Sequence, residues 1–149
     1  MSAFVLTSPA FADGQPIPKR HTCEGDGLSP PLAWEGAPEG TRSLALVVDD
    51  PDAPVGTFTH WLVWGLEPGA GVLAEGERCR GEGLNDFRKV GYGGPCPPRG
   101  RGPHRYVFRL HALETTLDLP RGGTKWELER ALAGHVLAVA ELVGTYERR

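Results

Sequence analysis

Several things are scarce in this 149-residue sequence: cysteine (three residues), methionine (one), and basic charge, with 16 Lys and Arg against 19 Asp and Glu for a net charge of −3. A protein whose main task is coating nucleic acid normally carries a basic excess, so that class is disfavoured. No apolar run approaches the roughly 20 residues of a membrane-spanning helix. The opening Met1-Ser2-Ala3-Phe4-Val5-Leu6 lacks the basic region and apolar stretch of a signal peptide and soon meets Pro9. Cys23, Cys79 and Cys96 cannot all pair within one chain, and their spacing fits no zinc template. The expectation is reduced thiols in a cytoplasmic protein, with no cofactor implied.

Glycine and proline are abundant instead. The 21 glycines and 14 prolines make up nearly a quarter of the chain, about twice the usual share of roughly 12%. They follow no three-residue period, so collagen is excluded, and there are no internal repeats. Many turns and ordered loops in one domain spanning residues 1–149 predict a mainly β fold with one or two short helices.

The apolar pattern places the elements. Prolines at 9, 16, 18, 30, 31 and 38 exclude long helices from the first 42 residues, where Phe4-Val5-Leu6-Thr7 reads as a short strand. Ser43 to Val48 is a compact apolar run, read as a buried strand stopped by Asp49-Asp50-Pro51-Asp52-Ala53-Pro54. Thr59 to Trp64 is aromatic and β-branched; simple alternation puts His60, Leu62 and Trp64 on one face and Thr59, Trp61 and Val63 on the other. Residues 65–103 carry no convincing periodicity beyond a short turn near Val72-Leu73, and so long a stretch usually has a purpose. His104 to Leu110 alternates cleanly, with His104, Tyr106, Phe108 and Leu110 on one side. Thr124-Lys125-Trp126-Glu127 matches a helix capping box, and Gly134 suits the stop. The β-branched residues between His135 and Tyr146 favour a strand there over a continued helix.

Three segments carry chemistry. In Asp50-Pro51-Asp52, two carboxylates are aimed at one region beyond a strand end, although a turn in which each Asp caps a backbone amide explains the same residues. His60 sits on its strand as either a packed ring or a ligand. The loop Gly91 to Pro103 is stiff with proline and open with glycine, but it lacks the Gly-Lys-Ser/Thr of a phosphate loop. From Asp86 to Arg105, five basic residues (Arg88, Lys89, Arg99, Arg101, Arg105) face one acid. Cys96, between Pro95 and Pro97, is either a stabilised thiolate or an inert small residue.

Ser29-Pro30-Pro31-Leu32 with Trp34, Asp50-Pro51-Asp52-Ala53-Pro54, His60-Trp61, and Gly91-Tyr92 through Pro97-Pro98 into His104-Arg105-Tyr106 resemble the phosphatidylethanolamine-binding protein family. The bacterial branch described as similar to Raf kinase inhibitor protein is the closest. The resemblance runs in order from about residue 4 to Tyr146. It implies a Greek-key β-sandwich with an anion pocket walled by Asp50, Asp52, His60, the Cys96-Pro97-Pro98 backbone, His104 and Tyr106. It also implies a cis bond at Ala53-Pro54. Gly65 stands where bacterial relatives usually carry Asn, and the extra C-terminal helix that gates eukaryotic pockets is missing.

The implied function is binding of a small anion or phosphate ester such as phosphorylethanolamine, without catalysis, in a regulator or inhibitor of other proteins. A protein partner and a homodimer are the further partners the resemblance admits. A phosphate beside ionised aspartates about 4 Å away is repelled by roughly 4 kcal/mol at an effective dielectric near 20. His60 and His104 are therefore expected to neutralise the carboxylates, so that affinity rises as pH falls. Two other classes fit the same residues. One is a hydrolase using the Asp/His pocket, or a metal held by Asp50, Asp52, His60 and His104. The other is an interaction module working through the surface of residues 65–90.

Overall fold

The computed structural model describes residues 3–149; Met1 and Ser2, the first residues of the segment expected to lack a targeting signal, lie outside the described residues. The elements in order are β1 (Val5–Thr7), β2 (Gln15–Pro16), a 3-10 turn (Lys19–His21), β3 (Leu32–Glu35), β4 (Ser43–Asp50) and β5 (Phe58–Leu66). They are followed by β6 (Gly71–Leu73), β7 (Gly81–Glu82), β8 (His104–Leu113), α1 (Lys125–Leu132) and β9 (Val136–Tyr146). Among the described residues no helix is long and apolar enough to cross a membrane.

Alternation along the central strands builds two cores. The larger sheet runs β2-β9-β8-β4-β5-β7 and the smaller runs β1-β3-β6. Leu44, Leu46 and Val48 of β4 and Tyr106, Phe108 and Leu110 of β8 face the small sheet, where Leu6, Leu32, Trp34 and Leu73 complete the main core. The intervening Ala45 and Val47 point the other way, with Leu62, Trp64 and Leu113, and receive Leu128 and Leu132 of α1. The result is the mainly β sandwich expected from the sequence, with α1 on its outer face. Because β8 returns to pair with β4 and not with β7, strands far apart in sequence become neighbours at one end of the sheet.

The helix starts where its capping box predicts. Thr124 Oγ1 accepts from the Glu127 backbone N–H at 3.1 Å, and Glu127 Oε1 accepts from the Thr124 N–H at 3.0 Å. Residues 136–146 form a strand, paired antiparallel to β8.

Two expectations are corrected. His60 does not share a face with Leu62 and Trp64. The pairing of β4 with β5 goes from Val48↔Trp61 to Asp49↔Thr59, so His60 is an extra residue in a β-bulge. The bulge inverts the alternation, placing Phe58 and His60 on the same side of the sheet as Trp61 and Val63. The second concerns the thiols: Cys23 and Cys96 form a disulfide, leaving Cys79 as the one free thiol among the described residues. Sequence spacing gave no hint of this pair because the fold alone brings the two Cα atoms to 5.4 Å. Burial pushes the Cys79 thiol up to about 11.

The long stretch after β5 is ordered by polar contacts more than by apolar periodicity. The buried Glu82 carboxylate accepts from Trp61 Nε1 (2.9 Å), the Cys79 N–H and Arg78 Nε (3.2 Å each), and Arg121 Nη2 (3.3 Å). A carboxylate can be buried when its oxygens are satisfied in this way.

Candidate functional site

The bulge in β5, the end of β4 and the start of β8 meet around a cavity of about 180 Å³. It is lined by Asp50, Ala53, Pro54, Phe58, His60, Phe87, Cys96, Pro97, Pro98, His104 and Tyr106. That volume is below the roughly 300–1,000 Å³ typical of drug-sized ligands, so it has room for a small group only. Of the eight residues expected in the wall, seven are there. Asp52 is not: it stands at the rim, where Oδ2 accepts from the backbone N–H (2.9 Å) and Nε (3.0 Å) of Arg105 and Oδ1 accepts from Nη2 (2.9 Å). These hydrogen bonds hold the Asp52 carboxyl down at about 2. The Ala53-Pro54 bond is trans, not cis, so the turn is set by side-chain bonds. Asp50 Oδ1 accepts from the Asp52 N–H at 2.8 Å.

Each polar wall residue has a defined partner except one. Asp50 Oδ2 is 2.7 Å from His104 Nδ1, and both side chains are buried. An imidazole N–H donated to a carboxylate fixes the tautomer and orients the ring, leaving Nε2 as the outer nitrogen. His60 Nδ1 is 2.7 Å from Gly93 O, and burial pushes its pKa down despite that bond and the nearby Asp50, Asp49 and Asp86. The Tyr106 hydroxyl is buried and has no hydrogen-bond partner among the described residues. Burial, then the charge of Asp50 and a side-chain contact with the same carboxylate, push its pKa up, so it stays a neutral phenol; that carboxylate lies near the hydroxyl but outside hydrogen-bonding geometry.

Apolar rings supply the rest of the wall. Phe58, His60 and Phe87 cluster with centroids 4.7–5.4 Å apart, and the His60 ring stands edge-on to Tyr106 at 5.2 Å. Phe87 is delivered by a tight loop: Asn85 Oδ1 accepts from the N–H groups of Phe87 (2.9 Å) and Lys89 (3.2 Å), and Nδ2 donates to Gly91 O (2.9 Å). Sequence reasoning missed Phe58 and Phe87. Phe58 is two residues before His60, a signal that starting the strand one residue earlier would have exposed. Asn85 before Asp86-Phe87 is an Asx-turn signature.

The glycine-rich loop packs closely against its neighbours. A Cβ at Gly93 would collide with the Phe87 ring, and one at Gly94 would lie 2.6 Å from His21 O. Its far end is tied down by the Cys23–Cys96 bond, by the Cys23 N–H to Pro95 O (3.1 Å), and by Arg148 Nε to Pro97 O (2.6 Å). The five basic residues of this region lie outside the cavity; its wall contains no Lys or Arg. Nor do Asp50, Asp52, His60 and His104 converge as a metal-ligand set: no group of three or more His, Cys, Asp or Glu does so among the described residues.

Known proteins share both the sequence and the fold of this chain. A UPF0098 protein of Pyrococcus abyssi is 47% identical over 154 residues, covering 97% of this chain and 86% of its own. The crystal structure of a phosphatidylethanolamine-binding protein homologue from Chlamydia trachomatis matches with a TM-score of 0.93 at 44% identity over the whole of both chains. That of E. coli YbcL, described as a new member of the mammalian family, matches with a TM-score of 0.90 at 34% identity, covering 99% of this chain and all of the other. The phosphatidylethanolamine-binding protein family model spans residues 7–147. With sequence and fold in agreement, this chain belongs to the phosphatidylethanolamine-binding protein family.

Proposed function

We propose that the cavity binds a small oxyanion, a phosphate ester of the phosphorylethanolamine kind, and that the protein acts as a binding module and not as a catalyst. The observation that carries this reading is the Tyr106 hydroxyl. A buried hydroxyl without a partner is unfavourable by roughly 1–3 kcal/mol, and a ligand oxygen in the cavity removes that cost. His104, held by Asp50 through Nδ1, presents Nε2 as a second hydrogen-bonding group of the wall. The size of the cavity supports recognition of a head group and not of a whole lipid. The disulfide favours an oxidising compartment over the cytoplasm expected from the sequence.

Titration calorimetry with O-phosphorylethanolamine at pH 5.5, with thermal melting alongside, tests the reading. Saturable binding and a raised Tm are expected, with the ligand recovered unchanged. Absence of both heat and protection at millimolar ligand would overturn it. Hydrolysis of p-nitrophenyl phosphate that disappears in His104→Ala would move the assignment to a hydrolase.

A further inference from the structure

The cavity's hydrogen-bonding directions are unequal, and the inequality bears on which ionic form of a ligand fits. Gly93 O, as a carbonyl oxygen, can only accept. The 2.7 Å contact therefore places the proton of His60 on Nδ1 and leaves a lone pair on Nε2. Nε2 has no hydrogen-bond partner among the described residues, and the ring lines the cavity.

The surroundings hold the ring in this form. Phe58, Phe87 and Tyr106 pack around it, and the ring is buried. The charged groups near it are Asp50 at the end of β4, Asp49 on the opposite face of that strand, and Asp86 in the loop; Asp49 is paired with Lys125 at 3.0 Å. No cation in the wall offsets them. Arg105 is engaged by Asp52, Arg148 donates to Pro97 O, and His104 is already on Asp50.

We propose that His60 Nε2 is an obligate acceptor in the cavity wall, so that the bound ligand must bring an O–H to it: the cavity takes a phosphate monoester in its singly protonated form and rejects the sulfate ester of the same shape. This rests on the oxyanion reading above. A singly protonated phosphate donates once, to His60 Nε2, and one of its remaining oxygens accepts from Tyr106 O–H. The ligand keeps its proton and no bond is broken. A sulfate monoester has only acceptor oxygens and would oppose one to the Nε2 lone pair. Sites built around a specific hydrogen bond reject analogues that cannot make it far more strongly than apolar pockets reject a missing methylene.

The test compares O-phosphorylethanolamine with ethanolamine O-sulfate by calorimetry at pH 5.5 and pH 8. With a second phosphate pKa of about 6, the singly protonated form falls from about three quarters of the ligand to about 1% over that interval. Phosphate affinity should therefore fall about 50- to 100-fold, and at pH 5.5 the sulfate ester should bind at least tenfold more weakly. In His60→Gln, whose amide can both donate and accept, the phosphate-to-sulfate ratio should drop towards one. If that variant does not fold, the wild-type ratio and pH profile decide alone. A ratio below ten, or phosphate affinity that holds or rises towards pH 8, overturns the proposal while leaving the oxyanion reading intact. Failure of both esters to bind at pH 5.5 overturns that reading, and the proposal with it.

Discussion

Cutting the Cys23–Cys96 link, by replacing both residues with serine, should lower the stability of the folded state substantially. The bond joins positions 73 apart. In the chain-entropy treatment, a loop of that length lowers the entropy of the unfolded ensemble by about 15 cal/mol/K, or about 4 kcal/mol at 25 °C. Against a typical domain stability of about 5–15 kcal/mol this is a large share. For a chain near 150 residues, where each kcal/mol moves Tm by roughly 2–4 °C, the expected drop is about 8–16 °C. Urea unfolding should also steepen, because the uncrosslinked unfolded chain exposes more surface. Circular dichroism melts of the parent and of Cys23→Ser/Cys96→Ser give the numbers, with thiol titration to show that the parent is crosslinked. A variant melting within about 3 °C of a crosslinked parent would refute the entropic argument. Ligand affinity well below the melt should change little, since the N–H of residue 23 still reaches Pro95 O and Arg148 still holds Pro97 O.

Tyr106→Phe should raise the ligand-free stability by about 1 kcal/mol, because it removes an unpartnered buried hydroxyl, while weakening phosphate-ester binding severalfold; paired melting and calorimetry check both signs. Asp52→Asn tests the rim pair. The native carboxyl sits at about 2 against an ordinary 3.8, so its stabilising contribution is complete above pH 4 and lost as pH falls through 2. The variant should thus be slightly less stable at pH 7, by no more than about 1 kcal/mol for so exposed a pair, with the gap closing between pH 4 and 2 in acid titrations of stability. Thr124→Ala removes the helix cap and should lower stability by about 1 kcal/mol, read as a Tm loss of about 2–4 °C.

Regular, local patterns were legible in the sequence. The alternation of β8 put His104, Tyr106, Phe108 and Leu110 on the inner face, and the Thr124/Glu127 pair marked the helix start, because such signals act within a few residues. What was not legible depends on contacts between distant segments. Nothing near Cys23 announces Cys96. The net basic charge from Asp86 to Arg105 suggested a positive cradle, yet side-chain direction sends those cations outside and leaves imidazoles and a phenol in the wall. Asp50 and Asp52 looked equivalent as neighbours of Pro51; a backbone N–H and a guanidinium on Arg105 separate them into a rim residue and a wall residue.

The irregularity at residues 60 and 61 also has a use for anyone redesigning this protein. On either side of it β5 must be read in opposite phase: positions 58 and 60 tune the ligand chamber, whereas 62 and 64 tune the seat of the helix. Libraries that vary every second residue through the whole strand would mix two unrelated properties. Splitting them at Trp61 lets specificity and helix docking be adjusted separately.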